Sequence, residues 1–200
     1  MFITTARLIT ICLALATIVP RVCAAENKLT QEETTILTLI LKEAYSDGGY
    51  TVVNAQTGFS HSQSDNAAEI EKSKNDISQR LQTNGIVVST LVDQLFRRNQ
   101  TPVQLLIKSS PKDGYLIDFE GKYDKYFKKN GGGWEKWYKE NPNAHGNTTV
   151  SLPVYDKKTG LVVVYKGTQS HGLDGAGWII LYRYEQGILK ELNRVMLWIS

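Results

Sequence analysis

The spacing of apolar side chains changes along this chain, from repeats of three and four residues in the first part to strict alternation from about residue 149 onward. In residues 29–45, Ile36, Leu37, Ile40, Leu41 and Ala44 form one stripe behind Thr30-Gln31-Glu32-Glu33. That tetrapeptide has the spacing of a capping box, in which threonine hydroxyl and glutamate carboxylate each satisfy a free N–H. A helix is predicted there, stopped by Ser46-Asp47-Gly48-Gly49. Residues 50–53 are β-branched and short, as in a strand, and 54–65 read as a polar exposed loop. A charged helix follows over 66–83, with Ile70, Ile77 and Leu81 as its apolar positions and Asn84-Gly85 at its end. A second helix covers 89–98, carrying Leu91, Val92, Leu95 and Phe96 on one side, and Pro102 blocks its extension. Residues 103–108 read as a strand and 109–114 as a turn cluster. The aromatic and charged stretch 115–129 reads as helical, with Phe119, Tyr123, Tyr126 and Phe127 as apolar candidates. After Gly131-Gly132-Gly133, a short helix over 134–140 places Trp134, Trp137 and Tyr138 on one face.

Beyond this point Val150, Leu152 and Val154 alternate with Thr149, Ser151 and Pro153, and the proline confines that strand to an edge or to its own end. Residues 156–160 form a hairpin loop. Residues 161–165 are apolar on both faces, which predicts a central strand covered on both sides. A glycine-spaced loop over 170–177 precedes a strand over 178–184, a turn at Glu185-Gln186-Gly187 and a last strand over 189–199. The expected fold is therefore α+β: N-terminal helices packed on a C-terminal antiparallel sheet of about four strands, plus one or two upstream strands, all in a single domain over 26–200.

Residues 1–25 change the composition. One charge at Arg7, an uncharged apolar run over 8–20 and small residues around Cys23-Ala24-Ala25 have the form of a cleaved secretory signal peptide. The run is short for a membrane span, which takes ~20 apolar residues. Cleavage would remove Arg7 and Arg21, so 23 basic residues less these two face 20 acidic ones, a net +1. No argument for nucleic acid or for an anionic membrane surface survives that balance, and no stable membrane anchor is expected after cleavage. Cys12 and Cys23 leave with the leader, so the mature chain has no thiol for a disulfide, a nucleophile or a zinc–sulfur site. The expected location is the periplasm or the exterior.

The candidate chemistry centres on the glycine-spaced loop. Gly172, Gly175 and Gly177 permit close approach to the main chain and would present His171 and Asp174 beside Trp178 as a recognition loop. The same glycines suit a long irregular hairpin connection better still, since loops joining strands are often glycine-rich for that reason alone. His61, His145 and His171 have no metal-binding spacing, no G-x-S-x-G elbow accompanies them, and the loop is not a nucleotide fingerprint. Neither a catalytic residue nor a metal or cofactor is expected. Trp134, Trp137, Tyr138, Tyr165, Trp178, Tyr182 and Trp198 could line a ligand groove, but their large apolar area suits a core better.

Several segments resemble a family of uncharacterised secreted bacterial proteins. Gly133-Trp134-Glu135-Lys136-Trp137-Tyr138 through Pro142 is similar to its G-W-x-x-F-Y-x-x-Y-P segment, and residues 146–154 and 161–167 to its two following strands. Residues 172–178 resemble its G-x-L-x-G-x-G-Y loop, Leu197-Trp198-Ile199-Ser200 its terminal W-I-S, and residues 51–57 its early V-I-x-D-x-T strand. This chain lacks the paired cysteines some members carry around the loop, and Asn54 replaces an often acidic residue. The resemblance implies export and one α+β domain; it assigns no activity. Two functions are expected from different classes: a non-enzymatic module, such as an inhibitor or immunity-type protein, that binds another envelope or secreted protein, or a small envelope hydrolase acting from His171 and Asp174.

Overall fold

A computed structural model describes residues 28–42, 48–59 and 66–200; the leader, the expected end of the first helix and His61 lie outside them. Helix α1 (Gln31–Leu41) begins at the capping box: Glu33 N–H donates to the Thr30 hydroxyl at 3.2 Å and Thr30 N–H donates to the Glu33 carboxylate at 2.9 Å. Strand β1 (Tyr50–Asn54) follows. Helix α2 (Ala67–Leu81) is capped by Asn66, whose side-chain oxygen accepts from Ala68 and Glu69 N–H. Helix α3 (Ser89–Arg98) has the predicted bounds and buries Leu91, Val92, Leu95 and Phe96. Then come β2 (Tyr115–Asp118), α4 (Gly133–Glu140), β3 (Ala144–Val150), β4 (Val154–Asp156), β5 (Leu161–His171), β6 (Asp174–Glu185) and β7 (Ile188–Ile199).

These seven strands make one mixed sheet in the order β2-β1-β3-β5-β6-β7, with β4 also paired to β5. The C-terminal strands are antiparallel, in line with their alternation. The upstream part corrects the expected arrangement: β1 lies between β2 and β3 and is parallel to both, so the early strands extend the same sheet. The helix expected over 115–129 is instead β2, a series of turns and one 3-10 turn at Asp124–Tyr126. Tyr115 and Ile117 are buried while Leu116 and Asp118 are half-buried, a period of two that pairing with β1 enforces. The strand expected over 103–108 does not form as a strand: Leu105 and Ile107 are buried, but the segment makes only a single bridge, Gln104 to Gln56.

Helix α1 covers one face of the sheet, Ile36 and Ile40 meeting Val162, Val164 and Ile180. Helices α2 and α3 cover the other, against Leu161, Val163, Tyr165, Ile179, Leu181 and Val195. Residues 161–165 are all buried, as a strand covered on both sides requires. Pro153 lies between the end of β3 and the first residue of β4, which pairs with β5 alone, so the proline stands at a strand end as expected, and the end of α3 satisfies the backbone there. Leu152 N–H donates to the Asn99 side chain at 2.7 Å, Asn99 donates back to Leu152 O at 3.1 Å, and Arg98 donates to Pro153 O at 2.6 Å.

Candidate functional site

Strands β5 and β6 are continuous across most of the region expected to be a loop. His171 pairs with Asp174, and only Gly172-Leu173 turns the chain. Gly175 lies opposite Gln169, and Gly177 lies opposite Gly167. The reason for this last pair is steric. Trp198 on β7 is the neighbour of Gly177 across the strands, and a Cβ at Gly177 would sit 2.0 Å from the indole nitrogen. A Cβ at Gly167 would sit 2.4 Å from the Tyr165 hydroxyl and 3.0 Å from the indole. The two glycines thus make a seat in which the indole lies flat on the sheet and donates its N–H to the Tyr165 hydroxyl at 2.9 Å. Tyr165 and Trp198 therefore belong to the α2/α3 side of the sheet, and Gly177 serves that side.

The hairpin end is docked on α4. The Tyr138 hydroxyl donates to Ser170 O, the Ser170 hydroxyl donates to the Asp174 carboxylate, and the His171 ring stacks on Trp134 with centroids 6.4 Å apart and 26° between planes. Trp134 in turn belongs to a cluster with Tyr123, Phe127 and Tyr138, and buried Trp137 sits between Tyr123 and Tyr126. His145 lies on β3 against Gly49, where a Cβ would be 2.2 Å from its ring. Among the described residues no three His, Cys, Asp or Glu side chains group as a metal site.

Burial pushes the Tyr138 hydroxyl above its ordinary pKa, and the nearby Asp174 charge adds to this; burial is also the largest cause of the larger upward shift at Tyr123, to which Tyr138 and Asp124 add. Burial also raises Tyr165, opposed by the Trp198 N–H. A group whose folded pKa is raised contributes stability that is full below the unfolded value, 10.0 for tyrosine, and is lost as pH rises through the folded value. An alkaline titration followed at 295 nm and by circular dichroism is therefore expected to show some tyrosines ionising only together with unfolding, above pH 10. Ionisation of all ten tyrosines near pH 10 with the fold intact would contradict this.

On the opposite face, α1 covers only one end of the long strands. Beyond Ile40 the side chains on this face turn polar along β5, from Val162 and Val164 to Lys166, Thr168 and Ser170. The result is a groove of about 590 Å³ that Asp174, Gly175 and Trp178 also line. Arg194 lies over the Trp178 ring at 4.9 Å and pairs with Glu191 at 3.3 Å. Thr168 is held by a chain of hydroxyls across the sheet, each 2.8 Å from the next: Thr51 to Thr148, then Thr148 to Thr168. Leu173, at the mouth of the groove, is 85% exposed, and His171, Gly172 and Asp174 beside it are exposed as well. Asp174, Gly175 and Trp178 thus meet in one groove, His171 and Gly172 stand at the tip above it, and Gly177 faces away. Lys166, Leu173, Glu191 and Arg194 were not singled out from sequence. The signal was the apolar-to-polar switch along one face of β5, which marks where the covering helix stops.

No protein-family model, curated protein or solved structure matches this chain. Among the described residues no helix is long and apolar enough to cross a membrane.

Proposed function

We propose that the chain is an exported, non-enzymatic binding module of inhibitor or immunity type, and that it engages another envelope or secreted protein through the tip of the β5–β6 hairpin and the groove beside it. One observation carries this reading: an apolar side chain, Leu173, stands almost fully exposed over an open groove that holds Trp178, Tyr182 and Arg194. Trp, Tyr and Arg are the residue types that dominate binding hot spots, and a projecting Leu supplies the apolar contact at their border. The docking of the hairpin end on α4 fixes the tip before any partner arrives, so little ordering opposes binding. Export rests on the leader pattern of residues 1–25 and on the resemblance to secreted proteins. The hydrolase reading has less support, because the Ser170 hydroxyl donates to Asp174 and the His171 ring is held by Trp134.

A photo-crosslinking amino acid at position 173, in cells that make the protein, is expected to give one discrete adduct with another protein. The same residue at Ile188, 70% exposed at the other end of β6 and β7, is expected to give none. Equal, diffuse adducts from both positions, or none from either, would overturn the proposal.

A further inference from the structure

A second cleft, of about 490 Å³, lies at a different part of the sheet. Strands β2, β1 and β3 are parallel, so their C-terminal ends share one edge. The chain leaves β1 through α2 and α3 toward β2 on one side, and leaves β3 toward β5 on the other. The connections diverge from the gap between β1 and β3, and the crevice this opens is where open sheets of parallel strands receive ligands. The cleft is there: it is lined by Asn54 at the end of β1 with Gln56 and Thr57 after it, by Asp118 at the end of β2 with Phe119 after it, and by Thr149 of β3.

Its polar groups are fixed in place. The two Asp118 carboxylate oxygens accept from Lys122 N–H at 2.9 Å and Tyr123 N–H at 2.7 Å, one each, and each oxygen retains a further lone pair. The Asn54 amide donates to the Thr149 hydroxyl at 2.6 Å and accepts from Asn147 at 2.8 Å. Having accepted, the Thr149 hydroxyl keeps its own proton to donate. Gly58 lets the wall close in: a Cβ there would be 2.6 Å from the Thr149 methyl. Phe119, 50% exposed, supplies an apolar aromatic face.

The charged groups lining the cleft are Asp118 and Asp124, which disfavours phosphates and carboxylates. A divalent cation is also a poor match, since among the described residues no third His, Cys, Asp or Glu joins such a group. Oriented carboxylate, amide and hydroxyl groups beside an aromatic ring suit adjacent hydroxyls and the apolar face of a sugar ring. We infer that this cleft binds a neutral saccharide, independently of the protein-binding groove.

The test is a titration of the isotope-labelled chain, followed by amide NMR, with glucose, mannose, galactose and N-acetylglucosamine, and in parallel with spermidine and calcium chloride. At least one sugar is expected to shift the amides of Asn54, Asp118, Phe119 and Thr149 in a saturable way. Phe119→Ala is expected to weaken that sugar about tenfold with an unchanged melting temperature, and Asp118→Asn by at least about as much. No saturable shift from any of the four sugars would overturn the inference. So would shifts from spermidine or calcium alone, or sugar binding that Phe119→Ala leaves intact.

Discussion

Arg98→Ala is expected to destabilise the fold by about 3–5 kcal/mol, read as a lower urea midpoint at an unchanged slope. Its guanidinium is largely buried, as is the Glu33 carboxylate, with side chains 13% and 9% exposed. One Arg98 nitrogen donates to Glu33 and to Pro153 O; the other donates to the second Glu33 oxygen and to Lys28 O, each at 3.3 Å. This fork joins the start of α1 to the end of α3 and to the segment between β3 and β4. Removing it leaves a carboxylate buried without its counter-charge and a carbonyl without its donor. Arg98→Lys keeps the charge but loses the fork, so it is expected to fall between the two. The double substitution Arg98→Met with Glu33→Leu is expected to recover much of the loss, because the buried charge goes too. A cost below about 1 kcal/mol for Arg98→Ala would show that the fork does not hold these elements together.

Gly177→Val is expected to cost about as much as Trp198→Ala, on the order of 3–5 kcal/mol each. Any side chain at 177 occupies the space of the indole, so Trp198 must leave the seat made with Gly167 and release its bond to Tyr165. Both substitutions therefore lose the same contact. A double-mutant cycle is expected to show strong coupling, with Gly177→Val adding little once Trp198 is Ala. Full additivity in urea unfolding would mean that the indole does not need the glycine.

These two sites show what could be read from the chain and what could not. The helix over 89–98 and the Thr30–Glu33 cap were legible because local spacing and local hydrogen bonds decide them. The central strand was legible because an apolar run with no polar face must be covered twice. Strand β2 was hidden: the aromatic residues that follow it repeat at three and four, and its pairing with β1 is parallel and distant in sequence. The glycine-spaced segment misled for a related reason. Glycines suggest turns, but Gly175 and Gly177 lie within β6, and Gly177 is matched to a tryptophan on the next strand. Register across strands, which sets that match, is not visible in one strand alone. Of the candidate groove, Asp174, Gly175 and Trp178 were found through the glycine pattern, whereas Lys166, Glu191 and Arg194 come together only through β5–β6–β7 pairing.

The central claim is a division of labour on one hairpin: the α2/α3 face seats Trp198 for stability, and the opposite face with the tip receives a partner. The most direct measurement is the yield of the adduct from position 173 in Trp178→Ala and Arg194→Ala backgrounds, taken alongside each variant's melting temperature. The yield is expected to fall about tenfold or more while the melting temperature stays within a few degrees of the parent. An undiminished adduct in both backgrounds would contradict the claim, and would place the partner elsewhere than on this groove.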